Sequence, residues 1–408
     1  MLASRVRPTA ALPASAAAVL DACWDVPAAT AHLVMEATGL TRSTALDALT
    51  RLAETGLVTE IENARATSGY HKGRPSRRWR LNAAAGYVIG IDAGMTHIRA
   101  QLADLGGAIL GDLTRHLEPP ATTSERISHL GKAIEDLQAR AGLAGTRAWV
   151  ICVGVPAPVD RVGVSPTGIN EFWDLMNPGL TRALAHYAPI IAVDNDAVLA
   201  AHAEGTVGAA REAASYVSLL ASDRLGCGVV IDGTLVRGSL GGVGELHVLT
   251  HVAEIMGTDG IRPRLLERAR TYARRAASGS TPEQILADDV HPWARRARTA
   301  VAREIAHVLA MCTLYGPELI IVGGAVAPHA THLVDEASDL LPSLIHAPTP
   351  RVVTSRLGGD IVVTGALASA LAQARLRALE LATLPQPSRS EHGAPGDPQS
   401  PTPTPKRG

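Results

Sequence analysis

The sequence predicts a multidomain α/β protein in which a short helical segment precedes a larger body of alternating strands and helices. Three observations lead to this prediction. The chain has 408 residues, which is more than one hydrophobic core usually serves. Hydrophobic residues make up 46% of it and charged residues 19%, a balance that excludes a chain disordered throughout. Patterns typical of buried strands recur from residue 87 onward, with glycines at their ends, and the last strand is expected at residues 362–364.

The composition excludes several classes of protein. Aromatic residues make up only 3%, so we do not expect the stacking platforms that hold single-stranded nucleic acid. The four cysteines form no C-x-x-C pair, which argues against a disulfide framework and fits a reducing cytoplasm. No apolar run is long enough for a bilayer span, and Pro13 and Asp21 interrupt the Ala-rich start that resembles a secretion signal. We therefore expect a cytoplasmic protein without a membrane partner.

Residues 14–58 show a helical pattern in three short pieces. We expect helices over residues 14–23, 28–37 and 42–55, because apolar residues recur there on one face. Gly39 suits the left-handed position that closes a helix, and Thr41 suits the N-cap of the third one. Residues 57–61 and 79–81 are expected to be strands. This order of elements predicts a winged helix-turn-helix domain over residues 1–84.

Positive charge is concentrated in the predicted wing, where residues 63–81 contain six basic residues and no acidic one. Such a domain places its third helix in the major groove and its wing on phosphates, so we predict a double-stranded DNA operator as partner. The predicted contacts are Thr41, Arg42, Ser43, Thr44, Arg51, Lys72, Gly73, Arg74, Arg77 and Arg78. A helical protein-interaction module is the alternative. Asp47 does not fit this prediction, because DNA phosphates repel a carboxylate unless its oxygen accepts a hydrogen bond from the amino group of a cytosine.

The body carries its polar motifs at the ends of apolar segments. A buried strand leads into D-x-G-x-T at residues 92–96, whose carboxylate, glycine and hydroxyl suit a metal-bound phosphate. The motifs that follow are G-V-P-x-P-V-D at 154–160, N-D-A at 195–197, G-x-x-G-x-x-G-E at 238–245 and G-G-A at 323–325. Strands that alternate with helices and end in glycines indicate α/β lobes with a ligand at the strand ends.

These motifs in this order, with G-R-P-S at residues 73–76, resemble the ROK family (repressors, open reading frames and kinases), specifically the regulator branch, which includes xylose- and N-acetylglucosamine-responsive repressors. The resemblance covers residues 14–381. It implies a two-lobed, actin-like and ribonuclease-H-like fold of the ATPase-type sugar kinases over residues 85–381, with sugar in the cleft, and a homodimer or homotetramer. Residues 382–408 are rich in Pro, Ser and Gly, and we expect a disordered tail there.

The resemblance also implies a set of sugar contacts. These are Asn170, Asn195, Asp196 and Glu245, with His247 in place of a missing histidine contact. Carboxylates and amides are the groups that pyranose hydroxyls need, and in the kinases the residue matching Asp196 is the general base. A helix N-cap is the alternative for Asn195 and Asp196, and a structural histidine is the alternative for His247. Glu267 is a further candidate for a sugar contact.

Two departures from the family argue against kinase activity. The kinases place a G-T-G-x-G turn against the nucleotide phosphates, whereas residues 222–226 have lost two glycines and carry charges at Asp223 and Arg224. The phosphate-binding surface is therefore expected to be vestigial, and its residues are Asp92, Gly94, Thr96, Gly226, Gly228, Gly323 and Gly324. The family's cysteine zinc cluster is missing, because residues 248–280 contain no cysteine. We expect no metal and no cofactor.

These observations favour a regulator without enzymatic activity. We expect it to be a repressor of carbohydrate genes whose effector is a monosaccharide or a sugar phosphate. Closure of the lobes would change how paired N-terminal domains are held on DNA. Two alternatives stay open. One is an ATP-dependent, glucokinase-like sugar kinase that carries a DNA-binding domain and in which Asp196 is catalytic. The other is a DNA-binding protein whose sugar site is vestigial and whose ligand is a protein.

Overall fold

The computed structural model describes residues 15–61, 77–120, 122–221, 224–239, 241–246, 259–275, 281–287 and 292–384. It has an N-terminal unit of three helices and a small sheet, and a body with two five-stranded sheets. Several positions singled out in the sequence lie outside the described residues: Lys72, Gly73, Arg74, Asp223, His247 and the tail from residue 385. Within the described ranges, no helix is long and apolar enough to cross a membrane.

The N-terminal unit consists of α1 (Ala16–Trp24), β1 (Ala29–Thr30), α2 (Ala31–Thr38), α3 (Arg42–Glu54), β2 (Val58–Ile61) and β3 (Arg78–Leu81). The strands form an antiparallel sheet in the order β1-β3-β2. Two predicted caps are present. Gly39 has a left-handed φ of 68°, and the Thr41 side chain accepts a hydrogen bond from Thr44 N at 3.3 Å.

The second helix begins later than predicted, because its first expected residues form a strand. Thr30 is extended, with φ −107° and ψ 161°, and its side-chain oxygen accepts a hydrogen bond from Leu33 N at 3.2 Å. Thr30 is therefore the N-cap of α2. Ala29 pairs with Trp79, which is fully buried. A strand of two residues is too short for its periodicity to show in a sequence.

The body contains two sheets of equal size. The first consists of β4 (Tyr87–Ala93), β5 (His97–Asp104), β6 (Ile109–His116), β7 (Val150–Val155) and β8 (Ile190–Asn195). The second consists of β9 (Tyr216–Ala221), β10 (Leu225–Ile231), β11 (Thr234–Val236), β12 (Leu319–Gly323) and β13 (Arg351–Thr354).

The two sheets have the same topology. Their strand orders are β6-β5-β4-β7-β8 and β11-β10-β9-β12-β13. In each sheet the first three strands are antiparallel, and the last two are added in parallel on the other side of the first strand. Each sheet therefore forms one lobe of a repeated design, and its parallel strands bring their carboxyl ends to one edge.

Helices connect the strands and join the lobes. They are α4 (Thr123–Arg140), α5 (Glu171–Met176), α6 (Leu180–Ala183), α7 (Asp196–Thr206), α8 (Ile261–Arg275), α9 (Pro282–Ala287), α10 (Pro292–Cys312), α11 (Thr331–Leu344), α12 (Ile361–Leu376) and α13 (Ala378–Leu381). Helix α7 packs on β9 and β10 of the second lobe, whereas α12 packs on β4 and β7 of the first. Because α7 and α12 also pack on each other, they form the contact between the lobes.

Residues 362–364 lie in α12, so the prediction of a strand there is wrong. The first half of the helix is covered by α7 and by the first sheet, so residues 361–367 are apolar apart from Thr364, and periodicity cannot separate such a buried helix from a buried strand. Two glycines allow the close packing. A side chain at Gly365 would overlap the Leu199 carbonyl, and one at Gly90 would overlap the Leu367 backbone.

The N-terminal unit is attached to the far end of α12. One hydrophobic cluster contains Leu57 and Trp79 of the unit together with Ala374 and Leu381 of the body. At its edge, Arg375 donates hydrogen bonds to Asp21 Oδ1 and Asp25 Oδ2, each at 2.7 Å, and its guanidinium lies 5.6 Å from the Trp24 ring. Helix α12 therefore contacts both lobes and the N-terminal unit.

Candidate functional site

A cleft with a cavity volume of about 580 Å³ lies between the lobes. It is lined by segments that follow strands of both sheets, among them residues 94–96 after β4, Pro156 after β7 and residues 324–326 after β12. The volume is within the range of small-molecule sites and is sufficient for a monosaccharide. The cleft is the candidate binding site.

The cleft brings together most of the residues that the sequence singles out for ligand contact. The lining residues from the predicted sugar set are Asn170, Asn195, Asp196 and Glu245, and those from the predicted phosphate set are Asp92, Gly94, Thr96, Gly226 and Gly324. Glu267 is not part of the lining; its carboxylate is exposed on α8 and accepts a hydrogen bond from Arg264 at 2.7 Å.

Gly228 and Gly323 do not line the cleft, which corrects their assignment to a phosphate surface. A side chain at Gly228 would overlap the Ala197 carbonyl, because β10 lies directly against α7. A side chain at Gly323 would come within 2.8 Å of Ile361 Cδ1. Both glycines are explained by the close packing of strands against α7 and α12. The sequence could not separate this cause from phosphate binding, because both require a residue without a side chain.

Asp196 is the most perturbed carboxyl group of the cleft. It is the first residue of α7 and directly follows β8. Burial, together with the negative charge of Asp92 and Glu245, raises its pKa to about 7, although the Ala197 N–H and Arg224 act in the opposite direction. Burial also raises the pKa of Glu245, against the effect of Arg224. Near neutral pH, Asp196 can therefore accept a hydrogen bond from a hydroxyl or, when protonated, donate one.

Asn195 is a helix N-cap, the alternative considered for it in the sequence. Its Oδ1 accepts hydrogen bonds from Ala197 N at 2.9 Å and Val198 N at 3.1 Å, and its Nδ2 donates to Ala157 O at 3.0 Å. Asn170 Oδ1 likewise accepts from Phe172 N at 2.9 Å and caps α5. The helix backbone thus uses both acceptor positions of the Asn195 oxygen and one of the two on the Asn170 oxygen, so the amide N–H groups are the main groups available to a ligand.

Asp92 is compensated by side chains of its own lobe. His97 Nε2 lies 3.0 Å from Asp92 Oδ2, and Arg99 lies 3.7 Å from the same oxygen. The His97 ring also covers Gly94, where an added side chain would overlap it. Buried Arg126 donates to the Gly94 carbonyl at 2.5 Å and to the Ala93 carbonyl, and burial lowers the pKa of its guanidinium to about 10. The D-x-G turn is therefore fixed by cations and imidazole.

The described residues contain no group of three or more His, Cys, Asp or Glu side chains placed to hold a metal ion. Arg224 lines the cleft and lies 4.5 Å from the ring of Phe172. The arginine belongs to the second lobe and Phe172 to the first, so the contact crosses the cleft. The sequence left open which charge of residues 222–226 points inward, and the structure places Arg224 there.

Several lining residues were missed in the sequence: Met95, His97, Arg99, His116, Phe172 and Trp173. His97 directly follows D-x-G-x-T, and this position was the available signal. The two aromatic residues lie on α5 after the Asn170 cap, a helix of six residues that is too short for periodicity to reveal.

The predicted DNA contacts that the structure describes, apart from Arg78 at the start of β3, fall into two groups. Thr41, Arg42, Ser43 and Thr44 are exposed at the start of α3. In contrast, Arg51 Nε donates to Asp47 Oδ2 at 3.1 Å, and Arg77 is paired with Glu60 and lies 5.1 Å from the Trp79 ring. The pairing with Arg51 accounts for the discordant Asp47 and lowers the positive charge available from this arginine.

The two lobes of repeated topology, with a cleft at their strand ends that carries carboxyl, amide and guanidinium groups, define a body of the sugar-kinase type. A family model confirms this class: the chain belongs to the ROK family, whose model matches residues 88–374.

Relatives of the chain include both regulators and kinases. The xylose repressor of Bacillus subtilis (strain 168) is 30% identical over 219 residues, which are 53% of this chain and 54% of the repressor. The chain thus spans about half the length of the curated relatives it matches. A ROK family transcriptional regulator, a homolog of the E. coli MLC protein, superimposes with a TM-score of 0.68 and 20% identity, covering 90% of this chain and 98% of that one. The ROK hexokinase of Thermus thermophilus superimposes with a TM-score of 0.57 and 25% identity, covering 71% of this chain and 99% of the hexokinase.

The substitution Asp196→Asn tests the environment of this carboxyl group. The folded protein binds the Asp196 proton more tightly than the unfolded chain, because its pKa is about 7 instead of 3.8. The wild type therefore loses stability as pH rises through this window. Asparagine has no such proton, so the stability of the variant relative to wild type should increase with pH. Urea unfolding at about pH 5 and about pH 8 measures this difference.

Asp112→Asn, at an exposed position of β6, is the matched control and should follow the wild type at both pH values. Parallel pH curves for Asp196→Asn and the wild type would contradict the raised pKa.

Proposed function

We propose that the protein is a sugar-responsive transcriptional regulator that acts as a repressor of carbohydrate genes. In this proposal residues 1–84 are a winged helix-turn-helix domain that binds double-stranded DNA, and residues 85–381 bind a monosaccharide or sugar phosphate. The observation that carries the proposal is the attachment of the three-helix unit to the end of α12, since the first turn of this helix lines the sugar cleft.

The DNA-binding side rests on the exposed start of α3. Its first turn presents Arg42, Ser43 and Thr44 to solvent, and Arg42 has no ion-pair partner among the described residues. In helix-turn-helix proteins this part of the third helix reaches base edges, and dimers read two half-sites. A homodimer or homotetramer is therefore part of the proposal. Lys72, Gly73, Arg74 and Arg78 are proposed wing contacts to phosphates.

The sugar-binding side rests on the chemistry of the cleft. Asp196 and Glu245 offer carboxyl groups to hydroxyls, and Asn170 offers an amide. Phe172 and Trp173 add apolar surface, which suits the C–H face of a sugar ring. His247 is kept as a proposed contact next to Glu245.

The loss of enzymatic activity is supported by what occupies the phosphate side. Arg224 stands where the kinases have a glycine, and its long side chain lines the cleft. Asp92, which would face a metal-bound phosphate, is already paired with His97 and Arg99. Arg224 takes up space that a nucleotide would need, and the paired Asp92 has less negative charge available for a metal ion bound to its phosphates. The phosphate surface is therefore proposed to be vestigial.

An ATP-dependent sugar kinase is the second candidate, and one observation favours it. A carboxyl group with a pKa of about 7 suits a general base that takes a proton from a sugar hydroxyl. The two candidates differ in whether ATP is consumed.

Helix α12 provides the route by which a sugar would act on DNA binding. Ile361 and Val362 line the cleft, and Arg99 donates to the Gly359 carbonyl just before the helix begins. The helix has 16 residues and is about 24 Å long. Its last turn carries Arg375, which holds α1 through Asp21 and Asp25. A shift of α12 on sugar binding would therefore reorient the N-terminal unit.

Arg42→Ala tests the DNA-binding half of the proposal. Duplexes selected from a random library with the full-length protein serve as probes, and fluorescence anisotropy gives the affinity. Loss of a base contact should cost about 1–3 kcal/mol and relax the sequence preference at that position. Arg140→Ala, an exposed arginine at the end of α4, is the control and should bind as the wild type does. Equal affinities for both variants would argue against α3 as the reading helix.

A panel of pentoses, hexoses, amino sugars and sugar phosphates tests the cleft. A sugar present at about 100 times its dissociation constant should stabilise the protein by about 2.7 kcal/mol, measured as a shift of the unfolding temperature. Glu245→Gln should lose this shift while keeping its affinity for DNA. Release of ADP in the same panel with ATP present, abolished in Asp196→Ala, would favour the kinase. A panel without any shift would favour the hypothesis of a protein ligand.

Arg375→Gln tests the coupling route. The variant should keep the sugar-induced thermal shift, because the cleft is unchanged, but the sugar should alter its affinity for DNA less than in the wild type. Couplings between two sites are typically about 1–3 kcal/mol, so a several-fold reduction of the sugar effect is expected. Arg377→Gln, an exposed neighbour, is the control. A full sugar effect in Arg375→Gln would exclude this contact from the route.

A further inference from the structure

Helices α8 and α10 form an antiparallel pair on the second lobe. Near the middle of α10, Glu304 accepts hydrogen bonds from Arg264 Nε at 2.9 Å and Arg268 Nε at 2.8 Å. Near its start, the Trp293 ring stacks on Tyr272 of α8 with the ring centroids 5.8 Å apart. Because later residues of α8 meet earlier residues of α10, the helices run in opposite directions.

The pair is unusually rich in arginine. Six arginines and one glutamate lie in α8, and four arginines and one glutamate lie in α10. Ten of the 38 basic residues of the chain are therefore found in these two helices, although the chain as a whole has a net charge of −1. All ten are arginines and none is a lysine. Unlike lysine, arginine can bind a phosphate group through two parallel hydrogen bonds.

Most of this charge is not used for folding. Arg264 and Arg268 are paired with buried Glu304, and Arg298 donates to the Leu286 carbonyl at 3.0 Å. Six other arginines are exposed and have no ion-pair partner within the described ranges. We call them the arginine face: Arg262, Arg270, Arg274, Arg295, Arg296 and Arg303.

The apolar sides of both helices are already covered. Ile261, Ala269 and Ala273 of α8 are buried, as are Ala297 and Val301 of α10. Among the described residues, no exposed large hydrophobic side chain lies on α8, or on α10 before Met311. Because this surface has no large apolar side chains to insert into a membrane, the arginine face suits an anionic partner that is bound by charge alone.

Its dimensions suit the backbone of a duplex. Helix α8 has 15 residues and is about 22 Å long, which corresponds to about six base pairs at 3.4 Å each. Arg296 lies 4.7 Å from the Trp293 ring, a contact that holds its guanidinium in place. Like charges held together on a rigid surface repel each other unless a polyanion neutralises them, and each phosphate contact releases bound counterions.

We propose that the arginine face binds the phosphate backbone of double-stranded DNA, outside the sequence read by the N-terminal unit. This inference rests on the proposed function, because it assigns a second contact to the same DNA. The contact reads no bases, so it raises affinity equally for all sequences and makes binding steeply dependent on salt.

The test uses the full-length protein and a fluorescent duplex of random sequence, about 30 base pairs long, with affinity measured between about 50 and 200 mM salt. The triple variant Arg270→Gln, Arg274→Gln and Arg303→Gln should reduce the slope of log affinity against log salt by about 2 to 3, and affinity roughly tenfold or more. Its ratio of affinities for selected and random duplexes should equal that of the wild type. The control, equal in charge, is Arg140→Gln, Arg161→Gln and Arg211→Gln, three exposed arginines elsewhere.

Three results would overturn the inference. One is a salt slope in the arginine-face variant equal to that of the control. Another is a fall in oligomer mass by light scattering with an unchanged slope, which would make the face a contact between copies of this chain. The third is loss of binding to phosphatidylserine vesicles with no loss of binding to DNA. Should the wild type select no sequence while the variant still lowers the slope, the proposed function fails and the arginine face stands.

Discussion

The close contact between α7, α12 and β4 is the constraint on which the arrangement of the whole chain depends. Gly365 and Gly90 have no side chains at the points where the backbones meet, so α12, which follows the last strand of the second lobe, lies directly on the first lobe. Overpacking a core costs about 1–3 kcal/mol, and here it would also separate the lobes. The cleft, the position of Asp196 at the start of α7 and the attachment of the N-terminal unit all follow from this contact.

The parts of the structure that could be predicted are those with a local physical cause. Gly39 and Thr41 act within one helical turn, so the start of α3 followed from the sequence. Polar residues after apolar strands predicted where Asp92 and Asp196 come together, because parallel strands end at one edge. Residues 362–364 were assigned to a strand since burial on all sides hides helical periodicity. The contact of Arg224 with Phe172 was not predictable, because it joins two lobes.

The electrostatics of the cleft explain why one carboxyl group is perturbed and its neighbour is compensated. Asp92 has His97 and Arg99 within 3.7 Å, so its charge is balanced inside the first lobe. The ionised form of Asp196 is favoured by the Ala197 N–H and, to a smaller extent, by the charge of Arg224, while Asp92 and Glu245 oppose its ionisation. A group in this state gains from a neutral ligand that both donates and accepts hydrogen bonds. A triphosphate would add its negative charge to that of the carboxylates, and the repulsion would increase. This position therefore favours the hydroxyls of a neutral ligand over a triphosphate.

The energetics of the junction with the N-terminal unit assign different roles to its two kinds of contact. The carboxylates of Asp21 and Asp25 are 65% and 73% exposed, and exposed ion pairs contribute about 0–1 kcal/mol. The hydrophobic cluster around Trp79 and Ala374 is buried, so it supplies most of the stability of the attachment. Arg375 therefore mainly sets orientation. A small change in the position of α12 can then alter this orientation without detaching the unit, because the cost of rearranging exposed charges is lower than a typical coupling energy between two sites.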